Sequence, residues 1–180
     1  MNKPSPKLAP KLDCIHHMAF RCKDAEETAR FYRDILGLKL KVALRQEATP
    51  GTDDGREFMH LFFEMGDENF IAFFDDPSGF DNFDFKPMYG LDCHLAFGAE
   101  SEDELKAWMA RLEENGVEYH GPINHDFVHS IYFWDPNGVA LEITYKDKAY
   151  DKILAHEEDI SAQQIRDWTA AKAARAQAAE

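Results

Sequence analysis

From His17 the larger apolar residues Met18, Phe20 and Cys22 alternate with His17, Ala19 and Arg21, the period of a half-buried strand, and predict a strand over about 14–22. The period then changes. Asp24, with Glu27 three residues on, reads as a capping-box helix start. Phe31, Ile35 and Leu36 make the apolar face of that helix, and Gly37 stands where a helix C-cap belongs. Strands follow at about 38–45, 57–65 and 69–75, with Gln46–Arg56 as a polar loop. The same order returns: a strand at 92–98, a second capping box at Ser101 and Glu104, and a helix carrying Leu105, Trp108, Met109 and Leu112 that ends near Gly116. Three more strands are expected at about 117–120, 128–134 and 139–145. Each half thus reads β-α-β-β-β. After Tyr145 the pattern is helical, first over Tyr150–Glu157 and then over Ser161–Gln177, where Ile165 and Trp168 form a sparse stripe suited to docking on the domain or on a second subunit.

The two halves are also related in sequence. Leu12-Asp13-Cys14-Ile15-His16-His17-Met18-Ala19-Phe20 returns as Leu91-Asp92-Cys93-His94-Leu95-Ala96-Phe97, which makes His17 and His94 equivalent. The second half closes with Asp135-Pro136-Asn137-Gly138-Val139-Ala140-Leu141-Glu142-Ile143, a tight turn followed by a strand bearing one carboxylate. Two histidines and one carboxylate on strands suggest a 2-His-1-carboxylate metal centre. Glu142 lies in an apolar run, where an unpartnered carboxylate is costly. The organisation expected is a flexible tail (1–11), a first module (12–76), an aromatic linker (77–90), a second module (91–146) and a helical extension (147–180). The linker carries Phe80, Phe83, Phe85, Met88 and Tyr89, so it is either a lid over the site or a cover for the core.

Composition narrows the function. With 44% hydrophobic residues, including 14 Phe, the 180-residue chain has ample material for a core. A formal charge of −14 argues against nucleic acid and against an anionic membrane surface. Three cysteines without CxxC spacing indicate neither a zinc knuckle nor a disulfide framework. With no signal-peptide pattern and no apolar run of membrane-spanning length, a cytoplasmic protein is expected. P-loop, dinucleotide-glycine and serine-nucleophile motifs are missing from the sequence.

With His-x-Ala-Phe opening each module and Asp-Pro-Asn-Gly-x-x-x-Glu closing the second, residues 12–146 resemble the vicinal oxygen chelate superfamily, which includes glyoxalase I, extradiol dioxygenases, fosfomycin-resistance transferases and bleomycin-resistance proteins. The resemblance implies an α+β fold of two βαβββ modules forming paired half-barrels, followed by the helical extension. It implies metal ligands at His17, His94 and Glu142. The fourth ligand position falls on Ala72, or on Phe73 after a slip of one residue, and neither binds a metal. Glyoxalase I usually carries Glu or Gln there, whereas extradiol enzymes and fosfomycin-type enzymes use three ligands. Tyr132 stands ten residues before Glu142, the offset at which extradiol enzymes place a substrate-binding tyrosine. His125, in the loop before that strand, is near their substrate-binding histidine. His60 and Phe62 are the first-module counterparts of Ser130 and Tyr132, with Phe62 a pocket candidate, and Asn69 is the polar residue nearest the position of a missing acid-base histidine. Strand parity places His129 on the face opposite Tyr132 and His16 on the face opposite His17, while His120, before Gly121-Pro122, reads as a turn residue.

The function these residues suggest first is extradiol ring cleavage of a catechol-like substrate with Fe(II) and O₂, with Tyr132 and either His125 or His60 steadying the substrate oxygens. A glyoxalase-like isomerase, epimerase or lyase using Ni, Zn, Mn or Mg is the alternative, and a metal-free small-molecule binding protein is a further one. All three take a small aromatic or vicinal-oxygen ligand. The resemblance also implies a homodimer, with the site formed within one chain or across two.

Overall fold

The computed structural model describes residues 14–66, 68–77, 85–86 and 92–177. The chain divides into two compact units, residues 1–85 and 86–180. Unit one holds strands β1 (His17–Cys22), β2 (Lys39–Gln46), β3 (Phe58–Glu64) and β4 (Phe70–Asp75), with helix α1 (Ala25–Ala29) after β1. Unit two holds β5 (Leu95–Gly98), helix α2 (Glu102–Glu114), β6 (Tyr119–Asn124), β7 (Val128–Trp134), β8 (Ala140–Lys146) and helix α3 (Tyr150–Gln177). Each unit builds one four-stranded sheet, in the orders β1-β4-β3-β2 and β5-β8-β7-β6. In both, the opening strand lies parallel to the closing strand and the other pairings are antiparallel. The expected βαβββ order is therefore present twice, with a helical extension after it.

The helices begin where the sequence placed them. Asp24 Oδ1 accepts the Glu27 amide at 2.7 Å, and Ser101 Oγ accepts that of Glu104 at 3.2 Å, so each cap satisfies an amide that the first helical turn leaves without a partner. Asp75 Oδ2 takes a further one, the Ala25 amide, at 2.8 Å. α1 runs on as a π-helical stretch, Arg30–Ile35, closed by the Leu36 amide on the Phe31 carbonyl at 3.0 Å. That stretch buries Phe31 and Tyr32 on the sheet, where the Tyr32 ring lies 4.7 Å from Phe73 and 5.4 Å from Phe63. Leu105 and Leu112 of α2, with Ile131, Phe133, Leu141 and Ile143 of the sheet, are among the buried apolar side chains of unit two.

Three expectations are corrected. The tail is a single helix, α3, because no Gly or Pro separates Glu157 from Ser161. His120 lies inside β6, paired with Tyr132, since β6 continues through Gly121 and Pro122 with a register shift before Ile123. Gly121 is required there: it sits at φ +119°, and a Cβ would stand 2.6 Å from the Ser130 carbonyl oxygen. β1 begins only at His17, so strand parity does not reach His16. Of the aromatic linker, Phe80, Phe83, Met88 and Tyr89 lie outside the described residues, as does the tail at 1–11. Among the described residues no helix is long and apolar enough to cross a membrane.

The turn between β7 and β8 is held by one buried carboxylate. Asp135 Oδ1 accepts the amides of Asn137 and Val139, both at 2.8 Å, and Oδ2 accepts Asn137 Nδ2 at 3.0 Å. Asp135→Ala leaves two buried amides without that partner and is expected to destabilise unit two by about 2–4 kcal/mol, measured by urea denaturation. A loss under about 0.5 kcal/mol would show that the turn holds without it.

Candidate functional site

The β8 register decides which side chains meet in unit two. Ala96 of β5 pairs with Glu142, and Glu142 pairs on its other side with Tyr132 of β7. His94 lies one residue before β5, and its ring turns to the same carboxylate. Its Nε2 lies 2.7 Å from Glu142 Oε2, whose side chain is 7% exposed. The Tyr132 ring sits edge-on to His94 at 5.5 Å, and its hydroxyl is 2.9 Å from His125 Nε2. Burial, and then the charge of Glu142, push the Tyr132 phenol above its ordinary pKa, so it remains a hydroxyl. His94, Glu142, Tyr132 and His125 therefore form one connected polar group on the sheet of unit two. It runs from a buried carboxylate to a half-buried imidazole.

Unit one presents the same positions with different chemistry. Ala19 pairs with Ala72, as Ala96 pairs with Glu142, so the counterpart of Glu142 is Ala72 and not Phe73. Ala72 pairs with Phe62, the counterpart of Tyr132. The face holds His17, whose ring is 5.9 Å from Phe62, and His60, stacked 3.7 Å from Phe74 and 4.3 Å from Phe62. His60 Nε2 is buried and has no hydrogen-bond partner among the described residues. His16 Nδ1 meets His17 Nδ1 at 2.9 Å, so His16 does not point to the opposite face; it fixes the neighbouring ring. Asn69 sits in the β3–β4 turn, where its carbonyl accepts the Met65 amide at 2.8 Å.

His129 takes the face opposite Tyr132, as its parity requires, bonded to Asp147 Oδ2 at 3.0 Å and stacked on Tyr145 at 4.9 Å. A charged group that the sequence reading passed over lies on the His17 side of β1. There Asp76, 1% exposed, is 2.6 Å from Arg56 Nε and 3.6 Å from Arg21. The signal was present, since Arg21 follows His17 and Ala19 at the strand period.

A model of the Glyoxalase/Bleomycin resistance protein/Dioxygenase superfamily matches residues 14–143. The chain belongs to that superfamily. A lactoylglutathione lyase of Neisseria meningitidis serogroup A is 27% identical over 139 residues, covering 76% of this chain and 94% of the relative. A glyoxalase/bleomycin resistance protein/dioxygenase domain from Frankia superposes with TM-score 0.61 at 25% identity, over 76% of this chain and all of that one (100%). A variant of the fosfomycin resistance protein FosX from Listeria monocytogenes, solved with Mn(II) and 1S,2S-dihydroxypropylphosphonic acid, superposes with TM-score 0.55 at 20% identity, over 74% of this chain and 92% of that one. Members of the superfamily bind divalent metals and act on small molecules.

The His94–Glu142 pair fits such a metal. Two donors bound at about 2.1 Å stand about 3 Å apart in octahedral and about 3.4 Å apart in tetrahedral geometry, so the pair, in contact at 2.7 Å, would open by a few tenths of an ångström to hold the ion. An imidazole and a carboxylate are suitable donors for Zn, Ni, Mn or Fe. Neither unit by itself gathers a third such donor among the described residues.

Burial, and then the charge of His17, hold the His60 imidazole below the ordinary histidine pKa. A depressed folded-state pKa stabilises the fold above the unfolded value near 6.5, and that contribution is lost as pH falls through the folded value. The metal-free protein is therefore expected to lose stability as pH falls below about 6.5, and His60→Phe to lose less, read from denaturation midpoints at each pH. Equal losses in both proteins would assign the effect elsewhere.

Proposed function

We propose that this chain is a divalent-metal enzyme of the glyoxalase type, which moves a proton within a small substrate that presents two neighbouring oxygens and does so without O₂. The observation that carries the reading is the His94–Glu142 pair, a buried carboxylate met by an exposed imidazole beside Tyr132 of unit two. It is supported by the relatives named lactoylglutathione lyase, which favour this reading over the ring cleavage that the motifs first suggested. His94 and Glu142 are the proposed donors of unit two, and His17 is the proposed donor of unit one, on the strength of the sequence repeat. When bound, the metal supplies Lewis-acid polarisation of a substrate oxygen.

The residues of the chain supply the rest. The buried Glu142 carboxylate holds negative charge where a proton must be taken up or released. Tyr132, kept as a hydroxyl, donates toward a substrate oxygen or toward His125 Nε2, and the half-buried His125 links that hydroxyl to solvent. Phe62, Phe70 and Phe74 give the His17 face of unit one an apolar, aromatic lining suited to the non-reacting part of a substrate. Ala72 at the fourth donor position leaves three donors, and that one observation favours the second reading, extradiol cleavage with Fe(II) and O₂.

Elemental analysis of protein purified without a metal-affinity column, with lactoylglutathione turnover assayed in air and under nitrogen, separates the two. Near-stoichiometric Ni, Zn or Mn and equal turnover in both atmospheres are expected, with metal lost and turnover reduced at least about 100-fold in Glu142→Ala. Iron, with consumption of O₂ on a catechol, would transfer the assignment to ring cleavage. A protein that takes up no metal even on reconstitution would be a binding protein.

A further inference from the structure

α3 is far longer than its contact with unit two requires. Its 28 residues extend about 42 Å at the rise of an α-helix. Ile153, Glu157 and Ile160 are half-buried at helical spacing near its start, but every side chain from 161 to 175 is exposed. Its alanines, glutamines and basic residues give the exposed part good intrinsic helix propensity, but in proteins most helical stability comes from packing an apolar face. The exposed part nevertheless carries Ile165 and Trp168, 67% and 57% exposed, and Leu154 is 39% exposed a few turns earlier.

These residues lie on one line. Leu154, Glu158, Ser161, Ile165, Trp168 and Lys172 fall at i, i+4, i+7, i+11, i+14 and i+18, a continuous stripe along an α-helix. Charge along the helix is polarised. Asp151, Glu157, Glu158 and Asp159 occupy the first part and Arg166, Lys172 and Arg175 the last; with Lys152 and Asp167 as the exceptions, the net charge is −3 over 150–163 and +2 over 164–177. The middle of the stripe is small, at Ser161 and Ala162. Acid at one end, base at the other and small residues between are what an antiparallel pairing with an identical helix needs, because a two-fold axis sets each end against its opposite.

We propose that α3 is the surface through which two copies of this chain pair, antiparallel, about an axis near Ser161. That axis sets Leu154 opposite Trp168 of the partner subunit and brings Asp151 within one residue of the partner subunit's Lys172. A parallel pairing would set acid against acid and base against base, so charge selects the antiparallel arrangement. Trp168, under the Arg175 guanidinium at 5.6 Å, is the large anchor of the interface.

Light scattering and sedimentation of the full chain test this. The intact protein at about 100 μM is expected at twice its 20.7 kDa mass. Ile165→Glu with Trp168→Glu is expected to give a monomer with an unchanged far-ultraviolet spectrum. Asp151→Lys, which leaves the apolar stripe intact, is expected to weaken pairing about tenfold, and adding Lys172→Asp to restore it. A monomeric intact protein, a dimer undisturbed by the double glutamate variant, or a charge reversal that its counterpart fails to rescue would each overturn the proposal.

Discussion

A carboxylate buried in a sheet must be met by a group that answers its charge or its hydrogen-bonding capacity, and Glu142 imposes that condition on unit two. The parallel pairing of β5 with β8 brings His94 to it. The antiparallel pairing of β7 brings Tyr132, and the Asp135 turn fixes the register of that hairpin, so that one face receives all three. A slip of one residue would turn Glu142 toward α2 and Ile143 toward His94. Much of the local architecture, including the tight turn and the irregular β6 around Gly121, bears on keeping that alignment.

The same constraint is absent from unit one, and the sheet there is built differently. Where unit two places Glu142 and Tyr132, unit one places Ala72 and Phe62, and the neighbouring face is made of stacked aromatic rings around His60. The buried charge of unit one lies farther along that side of β1, at Asp76, with Arg56 and Arg21 as its partners. One topology thus carries two chemical environments, one polar around Glu142, the other aromatic around His60.

The order of elements was readable because period-2 and helical patterns alternate cleanly and because Asp24, Ser101 and Asp135 are strong local signals. The equivalence of His17 with His94 followed from the repeat, and the assignment of Ala72 needed only a register that the strands supply. His16 was misjudged because strand parity was applied one residue before the strand starts. His120 was misjudged because Gly-Pro is a strong turn signal, overridden here by pairing to β7. The unbroken α3 was missed because a polar run was read as a break, although it holds no helix-breaking residue. The reaction was the least legible property: the residue types at the site suit several chemistries, and three donors first suggested oxygen chemistry, whereas two relatives are named lactoylglutathione lyase.

Ala72 has a consequence for how this scaffold changes over time. The main chain at this position already lies in the register that Glu142 uses, so a glutamate there would need no shift of the strand. Where Glu142 finds a phenol on the neighbouring strand, it would find the Phe62 ring, which offers no hydrogen bond. The groups left to answer its charge would be imidazoles, that of His17 by the repeat and that of His60, whose Nε2 has no hydrogen-bond partner among the described residues. An acid gained at this one position would meet bases already in place.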